Sequence, residues 1–223
     1  MKGKLIVIEG LDGSGKATQT QRIFDRLKAE GVRVRQVSFP DYQSPSSAPV
    51  RMYLNGELGS NPEDVNGYAA AVFYAVDRYA SFKKDWGDDY ANGAVILCDR
   101  YVTSNAIYQM TKVDKEDWDS YLEWLNELEY EKLGVPRPDL VIYLNVPCEI
   151  SQQLMSRRYE GDESRKDLHE RNLSYLADCA ESAAFSAQRL GWSAVNCVEN
   201  TQLRSMDDIS SEIMKLIKEK LDI

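Results

Sequence analysis

A short glycine-rich stretch carries the residue types best suited to chemistry. Residues 10–18 read Gly-Leu-Asp-Gly-Ser-Gly-Lys-Ala-Thr, with an apolar run at 5–8 before them and a helical pattern after them. Strand, glycine-rich turn and helix are the context of a phosphate-binding loop, or P-loop. The glycines let backbone N–H groups turn inward, and with the positive helix end these donors form a nest for phosphate oxygens. Lys16 adds a mobile charge for the β- and γ-phosphates, so the stretch indicates a nucleotide site rather than a turn with a chance lysine.

The metal contact of this loop departs from the usual pattern. The spacing fits G-x-x-x-x-G-K, but the next position is Ala17 instead of Ser or Thr, and Thr18 comes one residue late. The hydroxyl that usually contacts Mg²⁺ is therefore absent. The sequence predicts bound nucleotide phosphates and leaves the protein's share of the metal contact open.

The composition predicts one globular domain over residues 1–223. Hydrophobic residues make up 43% and charged residues 28% of the chain. No apolar run approaches the roughly 20 residues of a membrane span, and the first run is too short for a signal peptide. Four cysteines without a C-x-x-C pair and a single histidine favour reduced thiols, a cytoplasmic protein and no structural zinc. The net charge of −9 disfavours a nucleic-acid partner.

Predicted strands and helices alternate along the chain. The strands are expected at 5–8, 32–39, 94–98, 140–146 and 193–198. The helices are expected at 17–30, 50–58, 61 to about 85, 104–110, 116–133, 149–157, 169–190 and 206–221. Because several strands are apolar throughout, they favour a parallel sheet covered by helices on both faces. Ligands of such sheets bind beyond the carboxyl ends of the strands, so segments 10–18, 40–42 and 99–105 should converge.

Two charged groups outside the loop suit a phosphorylated ligand. Asp99 and Arg100 follow a buried strand, where charges are costly without partners. Asp99 is placed like a carboxylate that holds hydrated Mg²⁺, and Arg100 could bind a phosphate with two hydrogen bonds; an internal ion pair is the alternative. Tyr74 and Arg78 share a helix face and could stack on a base and reach its edge or phosphate. A core aromatic residue beside a surface arginine is the competing interpretation.

A set of segments, taken in order, carries a resemblance to a known family. They are Gly10-Leu-Asp-Gly-Ser-Gly-Lys16, Phe39-Pro-Asp-Tyr42, Tyr74-Ala-Val-Asp-Arg78, Asp99-Arg-Tyr-Val-Thr-Ser-Asn-Ala-Ile-Tyr-Gln109 and Pro138-Asp-Leu-Val-Ile-Tyr-Leu-Asn-Val-Pro147. Over nearly its whole length the chain resembles the thymidylate (dTMP) kinases, within the P-loop nucleoside monophosphate kinases. The resemblance implies a three-layer α/β/α fold with a parallel sheet of about five strands and a mobile lid at about 156–168. It also implies direct in-line phosphorylation of dTMP to dTDP by ATP for dTTP biosynthesis, with Mg²⁺ as cofactor.

The same resemblance assigns residues to the two substrates. The ATP-binding residues would be Gly10, Asp12, Gly13, Ser14, Gly15, Lys16, Ala17 and Thr18. The dTMP-binding residues would be Asp12, Phe39, Pro40, Tyr42, Tyr74, Arg78, Arg100, Asn105, Tyr108 and Gln109. Asp12 would bind the sugar 3′-hydroxyl, Arg100 the phosphate and Asn105 the base. Tyr74, where the family usually has Phe, would stack on thymine, and Tyr108 would disfavour a 2′-hydroxyl. Asp99 would hold the metal through water.

The family places a catalytic arginine either in the P-loop or in the lid. Because the P-loop position is Gly13, the resemblance implies a lid arginine, with Lys16 and Arg100 completing the catalytic set. The candidates are Arg157, Arg158 and Arg165, together with Lys166. An arginine that neutralises the transferring phosphoryl group can raise the rate by roughly 10³–10⁵. A solvated charged loop is the alternative, since Glu160, Asp162 and Glu163 dilute the positive charge.

Other functions and one further departure stay open at this point. Asn145 stands where the family's strand often carries Asp. The chain could instead phosphorylate another nucleotide or a deoxynucleoside, or be an ATP-binding module that lost catalysis through Ala17. The resemblance also implies a homodimer, for which we expect the apolar faces of helices near 65–80 and 106–110.

Overall fold

The centre of the protein is a parallel sheet of five strands. The computed structural model describes residues 2–158, 162 and 167–221. The strands are β1 (Lys4–Gly10), β2 (Val34–Ser38), β3 (Val95–Asp99), β4 (Leu140–Asn145) and β5 (Ser193–Asn196), in the order β2-β3-β1-β4-β5. Every neighbouring pair is parallel. β1 is buried almost throughout, as a strand covered on both faces must be.

Helices cover both faces of this sheet. They are α1 (Lys16–Ala29), α2 (Ala48–Leu54), α3 (Gly67–Ser81), α4 (Gly87–Ala91), α5 (Thr103–Tyr108), α6 (Trp118–Asn126), α7 (Cys148–Arg158), α8 (Leu173–Arg189) and α9 (Met206–Leu221). One face packs on α1 and α9 through Ile23, Leu27, Ile213 and Ile217. The other packs on an aromatic layer that includes Trp86, Tyr101, Trp118 and Tyr121. The predicted fold, a parallel sheet between two helical layers, is confirmed. No helix among the described residues is long and apolar enough to cross a membrane.

The helix predicted from residue 61 begins later than expected. Pro62–Asp64 forms a separate 3₁₀ turn, closed by a capping box between Asn61 and Asp64. Val65 is extended, and α3 starts at Gly67 with the Asn66 side chain accepting from the Ala69 N–H. The predicted start was wrong because Asn61 and Asn66 can both cap a helix, and only Asn66 is followed by a continuous helix. The helix also continues past 85 through a π-helical turn, Phe82–Trp86, into α4.

The helix predicted at 169–190 also starts later. Residues 168–171 form a turn that the Asp167 carboxylate closes by accepting from the backbone N–H groups of His169 and Glu170. Asn172 then caps α8 by accepting from the Tyr175 N–H. The predicted start at 169 was wrong. Residues 168–171 are of types that form helices, but the backbone N–H groups of the turn donate to the Asp167 side chain, which favours a separate turn.

Smaller differences lie at other boundaries. β2 is shorter than the predicted 32–39, and the helix predicted at 50–58 runs from Ala48 to Leu54 after a 3₁₀ turn, Pro45–Ser47. The helix predicted at 116–133 consists of α6 and a π-helical turn, Glu127–Lys132. After β5 the chain forms an unpredicted antiparallel hairpin of β6 (Val198–Glu199) and β7 (Gln202–Leu203).

Candidate active site

The glycine-rich loop joins the end of β1 to the start of α1. Gly13 and Gly15 have φ values of 80° and 85°, the left-handed region that favours glycine. A Cβ built on Gly15 would meet no atom within 4 Å, so this side of the loop is open. Lys16 is 7% exposed, and its Nζ donates to the Leu11 carbonyl at 2.8 Å. Burial and the nearby Arg100 lower the pKa of Lys16 to about 8, against the opposing charges of Asp12 and Asp99.

Arg100 links this loop to the end of β3. Its φ of 66° is left-handed, and its backbone N–H donates to the Ile8 carbonyl at 3.2 Å. Its guanidinium forms an ion pair with Asp12 and lies 5.0 Å from the centre of the Tyr108 ring. Burial alone would raise the pKa of Asp12, but Arg100 and Lys16 lower it below its usual value. Segments 10–18 and 99–105 therefore converge, as predicted.

A pocket opens beside this ion pair. The pocket is lined by all the residues predicted to bind dTMP, which come from the P-loop, the ends of β2 and β3, α3, and α5 with the residue after it. They are Asp12, Phe39, Pro40, Tyr42, Tyr74, Arg78, Arg100, Asn105, Tyr108 and Gln109. Leu54, Tyr101, Ser104, Asp167 and His169 complete it. The structure thus brings the predicted residues together from distant parts of the chain.

Two of the pocket-lining residues, Arg78 and Asn105, belong to a buried charge network. Arg78 is 1% exposed and Glu129 is fully buried, and the Arg78 Nε donates to Glu129 at 2.7 Å. Asn105 donates from Nδ2 to Glu129 at 3.1 Å and to the Ala71 carbonyl at 3.2 Å. Burial opposes the charge of Arg78, but the Glu129 carboxylate outweighs it and raises the pKa of Arg78. Arg78 is therefore no surface arginine, in contrast to the competing interpretation.

Asp167 and His169 were missed by sequence reasoning. His169 is buried, stacks on Tyr108 with ring centres 5.8 Å apart, and its Nε2 lies 2.8 Å from the Tyr53 Oη. Burial lowers the pKa of His169 to about 3, so its ring is neutral near pH 7. Burial and the charge of Asp12 raise the pKa of Asp167 to about 7. The available signal is the chain's single histidine, which stands at the predicted start of the helix 169–190 with Asp167 and Glu170 nearby.

Carboxylates at the strand ends differ in what holds them. Glu9 accepts hydrogen bonds from the hydroxyls of Thr103 and Ser104 at 2.8 and 2.7 Å, so its carboxylate is engaged within the protein. Asp99 has a buried Oδ1 with no hydrogen-bond partner among the described residues. Among the described residues, no group of three or more His, Cys, Asp or Glu side chains is placed to bind a metal ion. Asp99 is therefore the carboxylate left to meet a water or a cation.

The lid candidates fall partly outside the described residues. Arg157 is exposed near the end of α7 and Arg158 is the last residue of that helix. Arg165 and Lys166 lie outside the described residues. Gly13 packs against α7 so closely that a Cβ on it would lie 2.3 Å from the Ser151 carbonyl oxygen. The P-loop therefore has no room for a side chain at this position.

Comparisons with known proteins agree with this geometry. A family model described as thymidylate kinase matches residues 8–209. A thymidylate kinase of Mycobacterium tuberculosis is 34% identical over 170 residues, covering 75% of this chain and 78% of the relative. A probable thymidylate kinase of Pyrococcus horikoshii is 30% identical over 223 residues, covering 99% and 98%. A solved thymidylate kinase from Candida albicans has the same fold, with a TM-score of 0.72, 21% identity and coverage of 98% of this chain and 92% of that one. The chain belongs to the thymidylate kinase family.

Proposed function

We propose that this protein phosphorylates dTMP to dTDP, taking the γ-phosphoryl group of ATP by direct in-line transfer. The observation that carries the assignment is the pocket itself. Its lining includes Asp12 of the P-loop and the adjacent Arg100, together with the buried polar pair of Arg78 and Asn105. One phosphate-binding end and one hydrogen-bonding end suit a nucleoside monophosphate placed against an ATP site.

The acceptor end has the chemistry that a pyrimidine base needs. We assign Phe39, Pro40 and Tyr74 to the walls of the base site, with Arg78 and Asn105 at its edge. Tyr108 packs under Arg100 and would leave little space beside the sugar. Tyr42 and Gln109 complete the acceptor set, and the buried Gln109 Oε1 has no partner among the described residues. A base with the wrong hydrogen-bonding groups would leave these buried polar groups unpaired, so the site would discriminate strongly against it.

The transfer needs alignment and charge neutralisation more than proton transfer. The acceptor phosphate is ionised and is itself the nucleophile, so a strong general base is unnecessary. We assign Lys16 and the N–H groups of residues 10–18 to the ATP phosphates, and Arg100 to the phosphate of dTMP. The Asp12–Arg100 pair would hold the arginine in place before the substrate arrives.

We assign the remaining charge neutralisation to a lid arginine. Supporting this, Gly13 leaves no room for an arginine in the P-loop. Arg157, Arg158 and Arg165 are the candidates, and single alanine variants would identify the one whose loss lowers kcat most. Closing the lid would also exclude water and limit ATP hydrolysis.

We also propose that Mg²⁺ assists the reaction. Asp99 fits this role, because its buried Oδ1 has no hydrogen-bond partner in the described part of the chain and a carboxylate with water suits Mg²⁺. Ala17 offers no hydroxyl, so phosphates and water would supply most other ligands. When bound, the ion would neutralise charge on the phosphates of ATP.

The remaining assignments concern the whole protein. We propose one kinase domain over residues 1–223, a cytoplasmic location and no nucleic-acid partner, supported by the four free cysteines and the net charge of −9. We propose a homodimer through one exposed face of α3. The second expected dimer interface, at 106–110, is wrong, because Ala106, Ile107 and Met110 are buried within the single chain and cannot contact a second copy.

Product analysis tests the proposed reaction. The purified protein would be given ATP, Mg²⁺ and, in turn, dTMP, dUMP, dCMP, AMP or thymidine, and nucleotides would be separated and quantified. We expect dTDP from dTMP at the highest kcat/KM of the panel. A preference for thymidine or dCMP would favour the other kinase assignments. Tight ATP binding with no dTDP formed would favour the non-catalytic module.

A further inference from the structure

Glu129 is a fully buried carboxylate outside the set of residues assigned above. It lies in the π-helical turn Glu127–Lys132 that follows α6, and its side chain is 0% exposed. A buried charge is costly unless it is paired and hydrogen-bonded. Its partners are Arg78 and Asn105, the two residues at the base end of the pocket. The π-helical turn thus places a fixed acceptor group directly behind these two side chains.

The partners of Asn105 determine which way its amide faces. Its NH₂ group has two hydrogens, and both are used, one by the Ala71 carbonyl and one by Glu129. Both partners only accept hydrogen bonds, so the nitrogen end of the amide must face them. The Oδ1 atom is left for the pocket that Asn105 lines. Because both Glu129 oxygens accept from Arg78, the amide cannot turn over without placing oxygen against oxygen.

Several N–H groups of Arg78 are also used in hydrogen bonds within the protein. Its Nε and Nη2 donate to the two oxygens of Glu129, and its Nη1 donates to the Tyr101 carbonyl at 3.3 Å. A guanidinium has five N–H groups, so one on Nη1 and one on Nη2 remain. The base end therefore offers one acceptor, from Asn105, beside donors from Arg78. Glu129 contacts both side chains and fixes both.

We propose that Glu129 is a positioning residue that sets this hydrogen-bond polarity and thereby selects 4-oxo over 4-amino pyrimidines. The inference rests on the proposed function, which places the base at this end. A 4-oxo pyrimidine presents N3–H to Asn105 Oδ1 and O4 to Arg78. A 4-amino pyrimidine presents the opposite pattern, acceptor against acceptor and donor against donor. Such buried mismatches carry strong discrimination.

The test compares three substrates in Glu129→Gln. Its amide can donate to a turned Asn105 Oδ1, so of the two acceptors only the Ala71 carbonyl still opposes turning the Asn105 NH₂ group toward the pocket. We expect the ratio of kcat/KM for dTMP over dCMP to fall by at least roughly tenfold. The ratio for dTMP over dUMP should stay unchanged, because both bases are 4-oxo pyrimidines. Glu129→Asp keeps the acceptor and should retain the dTMP over dCMP ratio, even if kcat/KM falls.

A matched control separates this role from a structural one. Tyr121→Phe removes one buried hydrogen bond between α6 and the start of α3, to the Gly67 carbonyl, without touching Arg78 or Asn105. It should leave both substrate ratios unchanged. If Glu129→Gln also left the dTMP over dCMP ratio unchanged, the role of Glu129 would be refuted. If the wild-type protein itself did not prefer dTMP to dCMP, the proposed function would fail instead.

A measurement on the wild-type protein covers the case that Glu129→Gln does not fold. The side-chain amide protons of Asn105 can be assigned by NMR, with an Asn105 variant as reference. Because both protons are bonded inside the protein, we expect slow exchange with solvent with and without dTMP. Fast exchange without dTMP, followed by protection on binding, would place the NH₂ group in the pocket and overturn the proposal.

Discussion

Arg100 is the residue at which the proposed ATP and dTMP sites meet. Its left-handed backbone costs of the order of 1–3 kcal/mol for a residue with a Cβ, and such strain tends to persist at functional sites. The same backbone turn brings its guanidinium to Asp12 of the P-loop. The sequence showed that an arginine follows a buried strand, but it could not show this conformation, because φ depends on the surrounding packing.

Asp167 should make the stability of the protein depend on pH. Its pKa in the folded protein is raised to about 7, because it is buried and lies near Asp12, whereas an unfolded aspartate titrates near ~3.9. Between these values the folded state holds a proton that the unfolded chain has lost. The free energy of unfolding should therefore fall as pH rises from about 4 to about 7.

Asp167→Asn should remove this part of the pH dependence. Urea unfolding of both proteins at several pH values would measure it. The difference in unfolding free energy between variant and wild type should grow in favour of the variant across that window. Parallel curves for the two proteins would contradict the assigned titration.

His169 shows where residue types alone were insufficient. A single histidine in a chain without metal-ligand spacing did not by itself indicate a pocket, and the residues after it suited a helix. Its place in the pocket depends on the turn that Asp167 closes and on Tyr53, more than a hundred residues away in the sequence. Contacts of this range are set by tertiary structure, not by local pattern.

At the scale of elements, α8 supports the short helix that carries Asn105 and Tyr108. α5 has only six residues, and the last carbonyls of a helix lack partners within it. Three hydroxyl groups of α8 supply them: Ser186 donates to Ala106, Ser182 to Ile107 and Tyr175 to Tyr108. The sequence predicted both helices but not this contact, because isolated serines on a helix give no pairing signal.

Ser182→Ala and Ser186→Ala should weaken this support. Each leaves a buried carbonyl unpaired, so we expect each to lower the unfolding free energy by about 1–3 kcal/mol. The KM for dTMP should rise with them, because α5 loses its fixed position beside the pocket. Urea unfolding and steady-state kinetics would measure the two effects.

Ser211→Ala on α9, whose hydroxyl donates to a backbone carbonyl at the surface, is the control and should change stability by less than about 0.5 kcal/mol. Unchanged stability in both buried variants would contradict the account.

At the scale of the whole molecule, the alternation of elements was sufficient to predict the parallel sheet and the edge at which residues 10–18 and 99–105 converge. Apolar strands followed by polar residues placed the P-loop and the Asp99–Arg100 segment at one sheet edge, where the structure has them. The strand order and the π-helical turns were not predictable from the alternation, because they depend on which elements pack together. Glu129 bonds to Arg78 and Asn105 from such a turn and was missed for that reason.

An exposed apolar row on α3 leads to a prediction about assembly. Tyr68, Val72, Val76 and Tyr79 are 40%, 39%, 47% and 40% exposed and recur at helical spacing. If this face joins two copies, Val72→Glu should convert the proposed dimer to a monomer in light scattering coupled to size exclusion. Leu190→Glu, at a site 39% exposed elsewhere, should leave the mass unchanged. A wild-type monomer, or a Val72→Glu dimer, would contradict the assignment.

The central claim is that the pocket beside the P-loop binds the acceptor through Arg100 while ATP is bound separately. Steady-state kinetics of Arg100→Ala, with ATP affinity measured in parallel by calorimetry, test it most directly. Loss of a buried charged contact to phosphate should lower kcat/KM for dTMP by at least roughly a hundredfold, with the Kd for ATP nearly unchanged. An Arg100→Ala protein that retained the wild-type kcat/KM for dTMP would show that the acceptor binds elsewhere.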